Sequence, residues 1–212
     1  MNGHAESAER ALIQELEAAL DLDQSPIDDL LALGQLLIEP GHREAEAIPL
    51  FEAILARQPN DHRARYWIAY CLVHYLMDRA ARQRAIALLK EITEAGAGER
   101  PEPAYAAAAY MLLAEAGAES LPVDERIRLL EASVAHEPGW VYNRQSLAWV
   151  YREAQRYEEA LRELGRARDN VATVDPGWSA VRRNFEESIT GRIGHRAVER
   201  INSDIASTSA PA

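Results

Sequence analysis

The sequence predicts an all-α chain assembled from paired helices, and three observations predict it. Apolar residues recur at helical three- and four-residue intervals along almost the whole length. No stretch alternates in polarity for long enough to make a strand. Short Pro-, Gly-, Asn- and Asp-containing breaks interrupt the helical pattern at regular intervals.

The elements follow in order. Residues 5–22 place Ala8, Leu12, Ile13, Leu16, Ala19 and Leu20 on one helical face, with Glu and Gln between them. Ser25-Pro26 reads as a helix start, because serine can cap and proline fits a first turn; Pro40-Gly41 stops that helix near Glu39. The next runs from Arg43 to Arg57 and ends before Pro59-Asn60-Asp61. Residues 62–77 and 81–95 form a pair, closed by Gly96-Ala97-Gly98. Pro101 and Pro103 open an alanine-rich helix to Ala116, Asp124 is expected to cap a helix reaching His136, and Pro138-Gly139 starts one to Gln155. Helices over 157–171, 177–190 and 194–205 complete the set, with a frayed Ser/Ala/Pro tail at 206–212.

Composition narrows the class. Hydrophobic residues make up 48% of the 212, enough for a continuous core, yet no apolar run approaches a membrane span. The first residues carry neither a basic start nor an apolar stretch, so no secretory signal is expected and a cytoplasmic address is the default. Cys71 is the single cysteine, which excludes an intrachain disulfide and multi-cysteine metal sites. The net charge of −11 is uneven: residues 1–60 carry −9, 61–100 carry +2, 101–140 carry −5 and 141–212 carry +1. Phosphate backbones need a concentrated basic face, so nucleic acid is not the expected ligand. Twenty-two arginines stand against one lysine, Lys90, a bias that suggests a GC-rich, bacterial genome.

An internal period underlies the pairs. Aligning on the small residue of each first helix gives Gly34, Ala69, Ala108 and Ala148, at steps of 35, 39 and 40 residues. Each is followed three residues later by a large apolar side chain: Leu37, Leu72, Met111 and Tyr151. Pro59 and Pro138 align, carrying with them Phe51/Leu130, Ala53/Ala132 and Ala56/Ala135, and Pro-Gly-Trp recurs at 138–140 and 176–178.

The stretch Pro138 to Ala167 resembles a tetratricopeptide repeat through Leu147-Ala148, Tyr151, Ala160, Leu164 and Ala167. The first repeat resembles it through Gly34, Leu37, Ala47, Phe51, Ile54 and Pro59, with one residue inserted. The middle two depart from the pattern: Ala69 to Ala85 spans 16 residues where the family has 12, and Arg126 occupies a small-residue position. The family's tryptophan of the first helix is absent from all four. The resemblance implies a right-handed α-solenoid of four helix pairs, 26–60, 61–100, 101–138 and 139–175. A capping helix within 1–25 and capping helices over 176–205 would close its ends. A heterogeneous α-solenoid of another family is the competing fold.

No residues assemble into a recognisable catalytic, metal or cofactor motif. None of His4, His42, His62, His74, His136 and His195 has metal-ligand spacing, and no nucleophile elbow, phosphate loop or calcium loop is present. Catalytic residues, metals and cofactors are therefore not expected, although a helical enzyme or small-ligand sensor remains one reading. Cys71, inside Trp67–Val73, reads as a small buried hydrophobe.

The resemblance implies an inner groove lined by the first helix of each pair. Carried onto this sequence, the second repeat presents Arg63, Tyr66, Tyr70, Val73 and His74; the third, Glu102, Tyr105, Ala109, Leu112 and Leu113; the fourth, Tyr142, Gln145, Trp149, Arg152 and Glu153. The first adds Asp28, Leu31, Gln35, Ile38 and Glu39. Five of these are aromatic in a chain that is 7% aromatic, which suits a groove for a partner's extended or helical segment. Core packing explains the same spacing, and a one-residue slip would turn Trp67 and Tyr110 inward in place of Tyr66 and Ala109. Members that grip the C-terminal carboxylate of heat-shock chaperones need lysine on this face; Lys90 falls in a second helix, so that mode is not expected. The sequence thus points to a protein-binding scaffold or adaptor, with a self-associating structural subunit, a homo-oligomer, as the alternative.

Overall fold

The computed structural model describes residues 11, 13–38, 43–76, 78–96, 100–171 and 203–208, and these are helices joined by turns. Labelled in chain order they are α1 (Ile27–Ile38), α2 (Glu44–Arg57), α3 (His62–Cys71), α4 (Arg79–Thr93), α5 (Pro103–Ala116), α6 (Val123–His136), α7 (Val141–Glu153) and α8 (Tyr157–Val171). Residues 13–19 and 203–208 are also helical. The expected helix 177–190, the second Pro-Gly-Trp and most of 194–205 lie outside the described residues. The chain divides into two compact units, Met1–Ile92 and Thr93–Ala212.

In the first unit α1 packs on α2 and α2 on α3. The α1–α2 approach depends on Gly34. A Cβ built there would stand 2.5 Å from both Cε1 and Cζ of Phe51, so the missing side chain is what lets the axes come together. Phe51 is fully buried and stacks on Trp67 of α3, with ring centroids 6.4 Å apart and planes 17° from parallel. Leu30, Ile54, Ile68, Ala85 and Leu89, all buried, fill the rest.

Asp61 caps α3, its carboxylate accepting the N–H groups of Arg63 at 2.9 Å and Ala64 at 3.0 Å. Burial raises the Asp61 carboxyl, but bonds from the Arg63 guanidinium and these amides outweigh it and hold the group below the usual carboxylate range. The expected helix 62–77 is not uniformly α: after Cys71 it widens into a π turn, Leu72–Leu76. A π turn absorbs added length within a helix. The surplus counted between Ala69 and Ala85 begins here.

In the second unit α5 packs on α6, α6 on α7 and α7 on α8. Ala104 through Ala109 of α5 are all buried, which small side chains permit because neighbouring backbones can approach them closely. Ser133 of α6 donates its hydroxyl to the Ala107 carbonyl at 2.7 Å, satisfying both groups in a dry contact. Helix α6 begins two residues earlier than the sequence suggests: Pro122 stands at its N-cap position, no side chain caps it, and Asp124 lies within the first turn. There the Asp124 charge faces the helix dipole without accepting a capping bond.

The residues that carry the family resemblance are the core of this unit. Leu147, Ala148, Tyr151, Ala160, Leu164 and Ala167 form one buried cluster with Ile127 and Leu130. The α7–α8 turn closes as a Schellman motif: Arg156 N–H donates to Tyr151 O at 2.8 Å and Gln155 N–H to Arg152 O at 2.9 Å. Gln155 takes the left-handed conformation, φ 59°, that the motif requires. At the other end of α7, the Pro138 carbonyl accepts from Arg144 Nε at 3.0 Å, Arg144 Nη2 at 2.8 Å and Asn170 Nδ2 at 2.9 Å. The Pro-Gly-Trp turn at 138–140 is thereby tied to α7, which follows it, and to α8.

The last described segment corrects the expected chain end. Helix continues to residue 208, past the point where fraying was expected from Ala206. The Ser207 and Thr208 hydroxyls both donate to the Asp204 carbonyl, at 3.0 and 2.6 Å, and Thr208 is buried at 6% exposure. Both bonds lie within the segment, returning side-chain hydroxyls to its own backbone.

Candidate functional site

The residues expected on the inner groove divide between the units and differ in burial. In the first unit Arg63, at the start of α3, donates to Asp61 and to Asp28, each at 2.8 Å, bringing together two of the expected inner-face positions. Tyr66 is buried, edge-on to Trp67 with centroids 5.3 Å apart, and is therefore a packing residue where it stands. Tyr70 is half-buried and its ring lies 4.4 Å from that of His74 on the π turn. Trp67, which a slipped frame would turn inward, is buried as well.

In the second unit Tyr105 and Leu112 of α5 are buried, as are Ala109 and Leu113. Tyr110 is half-buried and stacks on His136. The α7 positions are the accessible ones. Tyr142 and Gln145 are half-buried, Arg152 is half-buried in the last turn, and Trp149 is 52% exposed.

Tyr142, Gln145 and Trp149 line a cavity of about 390 Å³ between α5 and α7. Its other walls are Met111, Ala114, Glu115 and Ala118 on the α5 side, Arg126 and Leu130 of α6, Ser146 and Val150 of α7, and Asp204. Arg152, Tyr105 and Leu112 are not among the lining residues. Most of the wall is apolar, and Glu115, Arg126, Gln145, Ser146 and Asp204 add polar groups to it.

Arg126 is the one cation among these lining residues. Its side chain is 12% exposed, and Nη1 donates to both Glu153 oxygens at 2.8 Å. Its Nε–H is buried and has no acceptor. An unpaired buried donor costs about 1–3 kcal/mol. Sequence reasoning did not select Arg126, yet the signal was present: it breaks the small-residue pattern of the second helices. Asp204, 55 residues from Trp149, carried no comparable signal.

Cys71 is fully buried; burial, with a smaller push from the Glu44 charge, raises its thiol to about 12, so it carries no thiolate at neutral pH. Tyr151 is likewise pushed up to about 12 by burial and by its 2.7 Å bond to Glu131, while the Arg156 guanidinium sits 4.6 Å from its ring centroid. Among the described residues no group of three or more His, Cys, Asp and Glu could hold a metal ion. No helix among them is long and apolar enough to cross a membrane.

Paired helices meeting through small residues, joined by short turns, define a helical repeat of the tetratricopeptide type. Solved structures agree. A thermophilic tetratricopeptide-repeat protein of Thermus thermophilus matches with a TM-score of 0.60 at 20% identity, over 79% of this chain and 85% of that one. MamA of Desulfovibrio magneticus matches at 0.59 and 17% identity, over 81% and 90%. A further MamA crystal structure matches at 0.58 and 19% identity, over 81% and 94%. No protein-family model matches the sequence, and no curated protein matches it.

Proposed function

We propose that the protein is a non-enzymatic, cytoplasmic interaction scaffold that takes a partner segment in the groove between α5 and α7. The observation that carries this reading is Trp149. A tryptophan left 52% exposed at the mouth of a largely apolar cavity forgoes burial that folding would favour, and exposed aromatics of this kind are the common anchors of interfaces. The indole supplies apolar area and one N–H, Arg126 supplies a buried donor seeking an acceptor, and Tyr142 and Gln145 form the rim. Tyr105 and Leu112 are buried in α5 and are assigned to packing, and Arg152 is assigned to the outer rim. In the first unit Arg63, Tyr70 and His74 form the accessible part of the expected face, with Tyr66 beneath them.

A second reading is self-association. Tyr75 and Leu76, at the end of the π turn, are 37% and 46% exposed, adjacent apolar side chains that suit a contact with a second copy.

Capture of binding proteins from source-organism extract separates the readings. Wild type, Trp149→Ala and Tyr157→Ala, the last an exposed aromatic at the start of α8, are compared after confirming equal thermal unfolding. The groove reading expects one set of partners on wild type and Tyr157→Ala and its loss from Trp149→Ala. Identical capture by all three overturns it; concentration-dependent mass abolished by Leu76→Asp supports self-association.

A further inference from the structure

The groove already holds a piece of the chain. We propose that residues 203–208 are an intramolecular ligand of the α5–α7 groove, and that a partner enters by displacing them with a segment of the same chemistry. That chemistry is a carboxylate immediately followed by a branched aliphatic side chain, presented on one helical turn. The proposal rests on the groove reading above and names the kind of segment the groove takes.

Four observations carry it. Trp149 Nε1, on the residue that anchors the groove, donates to Asp204 Oδ2 at 3.3 Å. Asp204 is itself part of the cavity wall. Ile205, the next residue, packs against the buried cluster of α5–α8. Thr208, one turn on, is buried.

The segment fills the groove incompletely. Trp149 keeps half its surface exposed with Asp204 in place, and the 390 Å³ cavity is the space that remains beside the segment. Arg126 Nε–H is still without an acceptor. A partner can therefore seat first in the empty part and then compete for Trp149 and the Ile205 site. The tethered segment sets a threshold: acting at an effective concentration of about 1 mM, it weakens every competitor by the ratio of that concentration to its own dissociation constant.

A labelled synthetic peptide of residues 201–212 tests this against the full-length chain by fluorescence anisotropy. The proteins are wild type and two released variants, Ile205→Glu and Asp204→Ala, each checked for unchanged helicity. The peptide is expected to bind the released variants about tenfold or more tighter than wild type. Binding should be lost when the peptide carries Asp204→Lys or the protein carries Trp149→Ala. Equal binding to wild type and both released variants, or no binding to either variant at millimolar peptide, overturns the proposal. If the peptide fails while partner capture still depends on Trp149, the intramolecular ligand falls and the groove reading stands. If Trp149→Ala affects neither, both fall.

Discussion

Gly34→Ala lowers the stability of the protein by about 2 kcal/mol, and Gly34→Val by about 3 kcal/mol or more, the range expected for overpacking a closed core. The sign is the informative part. In an exposed helix interior, glycine to alanine stabilises by about 1 kcal/mol, because alanine loses less backbone freedom on folding. At Gly34 the new Cβ meets two ring atoms of Phe51 at 2.5 Å. Phe51 has no room to yield, being fully buried and stacked on Trp67. Gly165 of α8 is the internal control: nothing lies within 4 Å of its added Cβ, so Gly165→Ala stabilises by about 0.5–1 kcal/mol. Urea unfolding followed by circular dichroism reads both. Phe51→Leu in the Gly34→Ala background recovers part of the loss; a Gly34→Ala protein as stable as Gly165→Ala contradicts the account of the α1–α2 contact.

Glu163→Ala costs about 3 kcal/mol or more, because it strands a buried guanidinium. Arg144 and Glu163 are each 10% exposed. Arg144 donates Nη1 to Glu163 and turns Nε and Nη2 to the Pro138 carbonyl, so one side chain joins α7, α8 and the preceding turn. Removing the carboxylate leaves Nη1 without its partner inside the protein, and Arg166 loses its 2.6 Å bond as well. Replacing the pair together, Arg144→Met with Glu163→Leu, removes the buried charge and returns most of the stability, although the Pro138 carbonyl loses its Arg144 donors. Glu159→Ala, which breaks the exposed pair with Arg156, changes little. Equal losses for Glu163→Ala and Glu159→Ala in the same urea titration contradict this assignment.

Much of the fold was legible because it rests on local signals. Helical spacing, Pro-Gly breaks and the recurring small residues place α1–α8 closely, and Gly34, Ala69, Ala108 and Ala148 are all buried where those helices pack. The errors sit where one tertiary fact outweighs a local rule. Asp124 has a capping residue's chemistry, but the chain enters α6 through Pro122. The added length after Ala69 becomes a π turn, which composition does not distinguish from α-helix.

The site was less legible. Helical spacing selects a face without saying whether a neighbour already covers it, so Tyr66, Tyr105 and Leu112 were grouped with Trp149 although packing buries them. Arg126 was visible only as a break in the pattern. Asp204 meets Trp149 through a fold-dependent contact that no spacing in the sequence encodes.

Amide hydrogen exchange of the full-length chain, with and without the partner recovered by wild type, tests the central claim most directly. The account predicts slowed exchange in Val141–Glu153 and the C-terminal half of Pro103–Ala116, with Tyr157–Val171 unchanged. Slowing in Tyr157–Val171 while Val141–Glu153 stays as it was would contradict it.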